Sequence, residues 1–302
     1  RTMTAAKKVR KAVIPVAGLG TRFLPMTKAT PKEMLPVVDR PAIQYVAEEA
    51  VAAGIQDVLF VTGRDKTSLE NHFDRVPALE STLTEKGSHE AVKEIVDLAL
   101  LANMHYVRQG NPRGLGHAVN VGRAFVGDEP FAVMLGDDLI DARTPILPAM
   151  FDVQEKFGGS VLCLMEVDES QTHMYGCAAI EETDVPGVVR VTGLVEKPAP
   201  GTAPSNLAVI GRYVIAPEVF DILDHQQPGR GGEIQLTDAL ATLIDVPTEQ
   251  GGGVHAVVFS GKRYDTGDKL SYLKSVVSIA LDRDDLGSDL REWLTTYLAS
   301  EG

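Results

Sequence analysis

Residues 12–37 read AVIPVAGLGTRFLPMTKATPKEMLPV, and this stretch decides the fold of the chain. It opens with apolar residues through Val16, which predict a short buried strand. Gly18 and Gly20 then predict a turn in which backbone amides can approach a ligand without obstruction by side chains. We therefore expect a ligand site at the carboxyl end of the first strand.

The same stretch is rich in positive charge. Three cations follow the glycine turn with no acidic residue before Glu33, namely Arg22, Lys28 and Lys32. The whole chain of 302 residues carries a formal net charge of −13, yet its first 32 residues contain no Asp or Glu. An acidic protein repels the nucleic-acid backbone at long range, so nucleic-acid binding is not expected. The local cations predict a site for a small polyphosphate.

The glycine spacing excludes two common phosphate-binding motifs. A dinucleotide fingerprint needs G-x-G-x-x-G, but Phe23 stands at the third glycine position. A P-loop needs G-x-x-x-x-G-K-[ST], and the sequence contains no such string. The chain instead has G-x-G-T-R, followed by P-x-T-K and P-K-E-M-L-P.

Strand-like and helix-like segments alternate through the first half, which is typical of a mostly parallel sheet covered by helices. Strands are predicted over 57–62, from 105 and over 131–140, and helices over 42–53, 83–102 and up to 122. The later half has β-rich runs that suggest partly antiparallel strands, and the chain reads as helical after Asp268. We expect a Rossmann-like, doubly wound α/β fold with a mixed, mostly parallel sheet, helices on both faces, a β-rich later region and a C-terminal helical segment.

Composition and cysteine use favour a cytoplasmic globular protein. Hydrophobic residues make up 44% of the chain, and no apolar stretch approaches the roughly 20 residues that span a bilayer. The charged N-terminus leads into a strand, which is unlike a signal peptide. Cys163 and Cys177 lie in apolar, strand-like runs without metal-binding spacing, so we expect both to be buried and reduced.

Three of the predicted strands end in residues with distinctive chemistry. The first runs into the glycine turn, the second is followed by Gln109, and the third ends in Asp137 and Asp138. Ligands in open α/β sheets bind beyond the carboxyl ends of the strands. Asp265, in KRYDTGD, is a further carboxylate beside a glycine, and such hard oxygen ligands suit Mg²⁺. A solvated turn aspartate would explain Asp137 or Asp265 taken alone.

These motifs together resemble the sugar-nucleotidyltransferases, whose signature is a glycine turn, Thr-Arg and a downstream Pro-Lys. The resemblance covers about residues 10–275 and is strongest to the branch of bacterial UTP–glucose-1-phosphate uridylyltransferases. The runs similar to that branch are VRQGNPRGLGHAV, MYGCAAIE, GLVEKP, SNLAVIGRYV, GEIQLTDAL and RYDTGDKLSYLKS. The pair Asp137 and Asp138 departs from the Pro-Asp-Val form of some members, which leaves the role of Asp138 open.

The resemblance implies an enzyme that joins UTP to glucose 1-phosphate, gives UDP-glucose for cell-envelope polysaccharide and releases pyrophosphate, with Mg²⁺ as cofactor. Because two phosphate groups must approach each other, such an enzyme needs a metal, fixed cations and amide donors more than acid–base groups. The implied catalytic residues are Arg22, Lys32, Asp137, Lys197 and Asp265. The implied metal ligands are Asp137 and Asp265.

The resemblance also implies where each substrate binds. The nucleotide-binding residues would be Ala17, Gly18, Leu19, Gly20, Lys32, Gln109 and Gly114, and the amide of Gln109 can match a pyrimidine edge. The sugar-binding residues would be Gly176, Glu196, Lys197 and Asn206, although surface ion pairing would also explain Glu196 and Lys197. The implied catalytic domain covers 1–270, with a nucleotide side at about 10–140 and a sugar side at about 141–270, and a helical segment covers 271–302.

Other functions fit parts of the pattern. A thymidylyltransferase that uses dTTP shares the signature, and a nucleotide-sugar-dependent glycosyltransferase has a similar acidic pair on a strand end. Arg22 and Lys32 argue against the glycosyltransferase, since diphosphate donors need no triphosphate clamp. An inert nucleotide-sugar-binding subunit would be expected to lack one of the charged site residues. The apolar stripes after Asp268 predict packing on the catalytic domain or on a second subunit, as in a homodimer or homotetramer.

Overall fold

The structure is a computed structural model and describes residues 7–300. Its strands are β1 (Lys11–Pro15), β2 (Pro36–Val37), β3 (Arg40–Pro41), β4 (Asp57–Thr62), β5 (Asn103–Arg108), β6 (Phe131–Met134), β7 (Asp138–Ile140), β8 (Ser160–Glu166), β9 (Gly176–Glu182), β10 (Val188–Glu196), β11 (Leu207–Ile215), β12 (Val254–Val258) and β13 (Arg263–Asp265). Its helices are α1 (Ala42–Ala52), α2 (Thr67–His72), α3 (Pro77–Glu85), α4 (His89–Ala99), α5 (Leu115–Val121), α6 (Arg123–Val126), α7 (Leu147–Phe157), α8 (Val219–His225), α9 (Leu236–Ile244), α10 (Lys269–Leu281) and α11 (Gly287–Ser300).

Nine of the strands form one sheet in the order β5-β4-β1-β6-β11-β8-β12-β10-β9. The strands from the first half of the chain, β5, β4, β1 and β6, run parallel to one another. β11 runs antiparallel to both β6 and β8, and β9 pairs antiparallel with β10. The predicted mixed α/β fold is confirmed, but the sheet is not mostly parallel as predicted, since four of its strand pairings are parallel and five are antiparallel. Its continuous parallel part is formed by the first half of the chain.

The burial of β1 explains why helices cover both faces of the sheet. Ala12 and Ile14 pack into one hydrophobic cluster with Ile43 of α1 and Met150 of α7. Val13 packs into the opposite cluster, which includes side chains of α5, α8 and α9. Successive side chains of a strand point to opposite faces, so this continuous apolar run needs a helical layer on each side.

The helix predicted over 83–102 is wrong as a single element. The structure has two helices, α3 and α4, separated near Gly87, whose φ is 72°. Glycine adopts this left-handed conformation at no steric cost and commonly ends a helix. The apolar spacing predicts α4 correctly but does not show where the helix begins.

The strand predicted over 131–140 is also wrong as a single strand. β6 ends at Met134, and β7 leaves the main sheet to pair with β13. The turn between them contains Gly136, where an added Cβ would lie 3.4 Å from buried side chains including Val16. Because of this turn, Asp137 does not follow the alternation of a continuous strand.

The helical C-terminal segment is present as α10 and α11. The hydroxyl of Tyr272 on α10 donates to the carbonyl oxygen of Pro36 at 2.6 Å, and its ring packs edge-to-face on Phe23. α10 therefore supports the loop that follows the glycine turn. The division of the chain at residue 270 stays a prediction, and residues 1–6 and 301–302 of the predicted domains lie outside the described range. None of the helices within 7–300 is long and apolar enough to cross a membrane.

Candidate active site

The carboxyl ends of β1, β5 and β6 meet at one edge of the sheet around a cleft of about 350 Å³. Parallel strands end at the same edge, so residues far apart in sequence come together there. Six residues predicted from the sequence line this cleft, namely Ala17, Gly18, Lys32, Gln109, Gly114 and Asp137. The structure thus brings together most of the predicted nucleotide-binding residues.

The glycine turn after β1 is held by a buried ion pair. Lys66 Nζ donates to the carbonyl oxygen of Gly18 and to the carboxylate of Glu33, at 2.8 Å in each case. Both charged side chains are buried. Gly20 has a φ of 64°, and an added Cβ there would lie 3.1 Å from Cβ of Lys32. The turn therefore packs directly against a predicted catalytic cation.

Lys32 and Asp137 form an ion pair in the cleft. Lys32 Nζ lies 2.7 Å from Asp137 Oδ2, and both side chains are partly exposed, so a ligand can reach them. Burial alone would lower the pKa of Lys32, but the attraction of Asp137 outweighs it and the pKa is raised. Burial would likewise raise the pKa of Asp137, but the Lys32 ammonium lowers it overall. Both groups are charged at neutral pH.

Asp265 approaches Asp137 around Gly267. The position that a Cβ on Gly267 would take lies 3.0 Å from Asp265 Oδ1 and 3.4 Å from Asp137 Oδ2. Arg22 Nη1 lies 3.4 Å from the carbonyl oxygen of Gly267. The backbone N–H of Thr266 donates to the carbonyl oxygen of Asp137 at 2.8 Å, which ties the two segments together. The two predicted metal ligands, Asp137 and Asp265, and the side chain of Arg22 therefore all lie close to Gly267.

The donor set suits a small divalent cation. Burial raises the pKa of Asp265, and the charges of Asp138 and Asp137 raise it further. A cation between the carboxylates would relieve that repulsion. The described residues contain no cluster of three or more His, Cys, Asp or Glu side chains that could hold a metal. Mg²⁺ needs no such cluster, since one or two carboxylates, water and substrate phosphates commonly complete its shell.

The side chain of Asp138 is engaged inside the protein. Its Oδ1 accepts from Arg263 Nε at 2.5 Å, and its Oδ2 accepts from the backbone N–H of Gly211 at 2.7 Å. Only 4% of Asp138 is exposed, and Asp137 but not Asp138 lines the cleft. The sequence left the role of this residue open, and its contacts are those of a structural ion pair.

Gln109 follows β5 and presents one particular orientation of its amide. Its Nε2 donates to the carbonyl oxygen of Gly114 at 3.3 Å and to Nδ1 of His117 at 2.9 Å. Burial lowers the pKa of His117, so its ring is neutral at pH 7 and Nδ1 can accept. Both amide hydrogens are used in this way, and the carbonyl oxygen of Gln109 is left for a ligand.

The backbone of Gly114 packs closely against the 233–234 segment. Its φ is 110°, and an added Cβ would lie 2.7 Å from the carbonyl oxygen of Ile234. The N–H of Ile234 donates to the carbonyl oxygen of Arg113 at 2.7 Å, which joins this loop to the segment before α9. The sequence predicted close approach of a nucleotide at Gly114. The structure shows that packing of the 233–234 segment also requires the glycine.

The predicted sugar-binding residues form a second group at the start of β9 and the end of β10. Glu196 Oε2 accepts from the hydroxyl of Thr237 at 2.6 Å and lies 3.2 Å from the position of a Cβ on Gly176. The N–H of Lys197 donates to the carbonyl oxygen of Tyr175 at 3.0 Å. Lys197 has a φ of 45°, so the chain bends sharply at this cation.

Arg263 connects this second group to the carboxylates. Its guanidinium lies 5.8 Å from the ring centre of Tyr175, and its Nη2 lies 3.8 Å from Asp265 Oδ2.

Two other predicted site residues are exposed. Asn206 is exposed and donates to the carboxylate of Glu166 at 3.0 Å, and the side chain of Leu19 is 81% exposed.

Sequence reasoning missed several residues that shape the site. They are the buried pair Glu33 and Lys66, the positioning contact of His117, the hydroxyl of Thr237, and the internal cations Arg212 and Arg263. The motif PKEMLP contains Glu33, and VIGRYV contains Arg212, so both lay within runs already singled out. No pattern in the sequence indicates that these charged side chains are buried.

Comparison with known proteins identifies the family. A family model described as nucleotidyl transferase matches residues 11–280. The chain belongs to the nucleotidyl transferase family. UTP–glucose-1-phosphate uridylyltransferase of Bacillus subtilis strain 168 is 50% identical over 296 residues, which cover 98% of this chain and 99% of that protein. The resemblance to bacterial uridylyltransferases is confirmed, and this nucleotidyltransferase is an enzyme.

Solved structures agree in fold over nearly the whole chain. A UTP-bound UGPase from Acinetobacter baumannii is 40% identical, with a TM-score of 0.86 over 95% of this chain and 99% of that one. A UDP-glucose pyrophosphorylase complexed with UDP-glucose is 42% identical, with a TM-score of 0.81 over 91% of this chain and 100% of that one. The predicted fold class is thereby confirmed a second time.

Proposed function

We propose that this nucleotidyltransferase transfers the uridylyl group of UTP to glucose 1-phosphate. The observation that carries the proposal is the convergence of Lys32, Asp137 and Asp265 beside a glycine turn, in a chain 50% identical to a uridylyltransferase. A phosphate oxygen of glucose 1-phosphate attacks the α-phosphorus of UTP. The bond from that phosphorus to the oxygen bridging to the β-phosphate breaks, and pyrophosphate leaves with UDP-glucose as the other product.

The fixed cations of the site address the main energetic problem of this reaction. Two unit charges about 4 Å apart repel by about 4 kcal/mol at an effective dielectric constant of 20. Arg22 and Lys32 follow the glycine turn and would contact the phosphates of UTP, together with the backbone amides of Gly18 and Gly20. Lys197 would contact the phosphate of the sugar.

We propose Mg²⁺ as the cofactor, held by Asp137 and Asp265. Support comes from the approach of their carboxylate oxygens around Gly267 and from the raised pKa of Asp265. When bound, Mg²⁺ would neutralise phosphate charge and help to orient the two substrates. Lys32, already paired with Asp137, provides a fixed positive charge at the same point.

Gln109 would recognise the base, and the second group around Glu196 would recognise the sugar. The carbonyl oxygen of Gln109 would accept the N3–H of uracil, because its amide hydrogens are already used by Gly114 and His117. Glu196, fixed by Thr237, would accept hydrogen bonds from glucose hydroxyls beside Gly176. Asn206 donates to Glu166 through Nδ2, so its side-chain oxygen would accept from a sugar hydroxyl.

We expect direct, in-line transfer without a covalent enzyme intermediate. Residues 12–37 contain no Cys or His, and their hydroxyls have no base evident in the sequence. The configuration at the α-phosphorus should therefore invert. Retention of configuration, or isolation of a uridylylated protein, would contradict a direct transfer.

The decisive assay measures pyrophosphate release with a panel of nucleoside triphosphates, a panel of sugar 1-phosphates and Mg²⁺. The highest kcat/KM is expected for UTP with glucose 1-phosphate. A preference for dTTP would make the enzyme a thymidylyltransferase. Absence of pyrophosphate with every pair would overturn the proposal and favour a nucleotide-sugar-binding subunit, while glucose transfer from UDP-glucose to an acceptor would favour a glycosyltransferase.

We also propose that the enzyme is a homodimer or homotetramer in the cytoplasm. Trp293, Tyr297 and Leu298 on α11 are each about half exposed or more, and Leu270 and Leu273 on α10 are similarly exposed. These exposed apolar side chains would be covered by a second copy of the chain. Light scattering that shows a monomer at micromolar concentration would contradict the oligomer. The cytoplasmic location rests on the two buried thiols, which form no disulfide.

A further inference from the structure

Arg212 on β11 is the largest side chain with no exposed surface in the described part of the chain. Its Nε and Nη2 donate to the carboxylate of Glu49 on α1, at 2.6–3.1 Å. Nη2 also donates to the carbonyl oxygen of Asp138 at 2.7 Å. Nη1 donates to the carbonyl oxygens of Gly211 at 2.7 Å and Leu135 at 3.4 Å. All five N–H groups of the guanidinium thus have an acceptor.

Two of those acceptors bracket the turn that carries Asp137. Leu135 precedes Asp137 by two residues and Asp138 follows it directly, and one guanidinium binds the carbonyl oxygens of both. The N–H of Leu135 also donates to the carbonyl oxygen of Gly211 at 3.0 Å. The backbone on each side of Asp137 is therefore fixed to β11, at the point where β6 ends.

A role in stability alone is a poor explanation for this arrangement. Burying an ionised pair costs several kcal/mol of desolvation per ion, and apolar side chains of similar volume often stabilise a core as well or better. What apolar side chains cannot do is hold two carbonyl oxygens at a defined separation. The planar guanidinium presents its donors in a rigid fork, whereas the ammonium of lysine is a compact point charge on a flexible stem and does not fix such a separation.

We propose that Arg212, oriented by Glu49, is a positioning residue that sets the direction of the Asp137 carboxylate. This inference rests on the proposed role of Asp137 as a metal ligand in uridylyl transfer. Arg212 itself does not line the cleft. It acts through the backbone of Leu135 and Asp138, so that Asp137 meets Asp265 and Lys32 in the geometry described above.

The test variant is Arg212→Lys, which keeps the charge opposite Glu49 but lacks the rigid fork of donors that binds both carbonyl oxygens. The probe is Mn²⁺, whose free concentration is followed by electron paramagnetic resonance with UDP-glucose present and no turnover. We expect the Kd for Mn²⁺ to rise about tenfold and kcat to fall by at least as much, with KM for UTP changed less than about threefold. Such losses correspond to about 1.4 kcal/mol per factor of ten.

A matched control separates positioning from stability. Leu243 on α9 is fully buried in the opposite cluster, so Leu243→Ala should lower Tm without disturbing the turn. We expect its Kd for Mn²⁺ and its kcat to stay within about twofold of the parent values. If Arg212→Lys binds Mn²⁺ and turns over like the parent, or if Leu243→Ala shows the same losses, the positioning role is wrong.

A second variant covers the case in which Arg212→Lys does not fold. Glu49→Gln keeps the arginine but weakens its orientation, and a smaller loss of Mn²⁺ affinity and kcat is expected. Unchanged values in folded Glu49→Gln would then overturn the inference. The metal site itself is checked by Asp137→Asn. If that variant binds Mn²⁺ like the parent, the proposed metal site fails and the positioning inference fails with it. If Asp137→Asn loses Mn²⁺ affinity while Arg212→Lys keeps the affinity and kcat of the parent, the positioning role alone is wrong.

Discussion

Lys32 Nζ lies 2.7 Å from Asp137 Oδ2, so the cation of the first loop meets a carboxylate in the turn that follows β6. Each residue stabilises the charged form of the other, as the raised pKa of Lys32 and the lowered pKa of Asp137 indicate. A ligand phosphate that enters this cleft therefore meets a positive charge whose position is already fixed. Fixed charges of this kind contribute more to catalysis than mobile ones, because they need no reorganisation during the reaction.

Lys32→Met should lower kcat by about 10²–10³-fold, the usual effect of removing one electrostatic contact in the transition state. Lys28 lies in the same loop and is exposed, so Lys28→Met is the matched control and should stay within about threefold. Steady-state kinetics with UTP and glucose 1-phosphate measure both effects. Equal losses in the two variants would show that only the general charge of the loop matters.

The carboxylates should separate into two classes when each is changed to its amide. Asp137→Asn and Asp265→Asn should fold normally but lose activity, because a neutral amide is a poor ligand for Mg²⁺, and a higher Mg²⁺ concentration should partly restore it. Asp138→Asn should instead lower Tm, because it leaves the guanidinium of Arg263 without its close partner. Near-normal turnover of both Asp137→Asn and Asp265→Asn at low Mg²⁺ would refute the assigned metal site.

The parts of the site that follow from local pattern could be predicted from the sequence. The glycine turn, Gln109 and Asp137 each follow the end of a strand closely, Lys32 lies in the same loop as the glycine turn, and parallel strands end at the same edge of a sheet. Their positions in the cleft therefore need only the strand assignments and the topology rule.

The parts that depend on burial could not be predicted. Asp137 and Asp138 are adjacent and chemically identical, yet one lines the cleft and the other is buried against Arg263. Which of them faces inward depends on the turn at Gly136 and on β11, which lies more than 70 residues later in the chain. From the sequence alone, Lys66 is expected at the surface, because lysine is rarely buried unless it is paired. Its partner, Glu33, is brought next to it only by the tertiary structure.

The buried pair of Lys66 and Glu33 allows stability and function to be separated. Lys66→Met leaves the carboxylate of Glu33 buried without its partner, so the free energy of unfolding should fall by about 3–5 kcal/mol. Adding Glu33→Gln removes that charge and should recover much of the loss. Urea titration measures both steps.

The double variant should still bind UTP poorly. The carbonyl oxygen of Gly18 loses the donor that fixes it in either background, so the amides of the glycine turn lose their orientation. We expect KM for UTP to stay raised by about tenfold, the effect of one lost hydrogen bond to a charged group. Recovery of KM together with stability would mean that the pair serves stability only.

The last prediction concerns pH and the base site. Burial lowers the pKa of His117, so its ring is neutral at pH 7 and Nδ1 accepts from the amide of Gln109 at 2.9 Å. When pH falls through that lowered value, Nδ1 gains a proton and can no longer accept. The Gln109 amide then loses its orientation toward the base. The contribution of this hydrogen bond to ligand affinity is therefore present above the ordinary histidine pKa of about 6.5 and is lost in acid.

UDP-glucose is the suitable ligand for this measurement, because its diphosphate has no proton that titrates between pH 5 and 7. Calorimetry over a pH series that descends from 7 should show affinity that falls once the pH passes below the lowered pKa of His117, by about five- to tenfold in full, the value of about one hydrogen bond. In His117→Phe the affinity should be low throughout the series and nearly independent of pH. His225 is exposed and does not line the cleft, so His225→Asn should keep the pH dependence of the parent. An unchanged pH dependence in His117→Phe would assign the effect to another group and remove His117 from the base site.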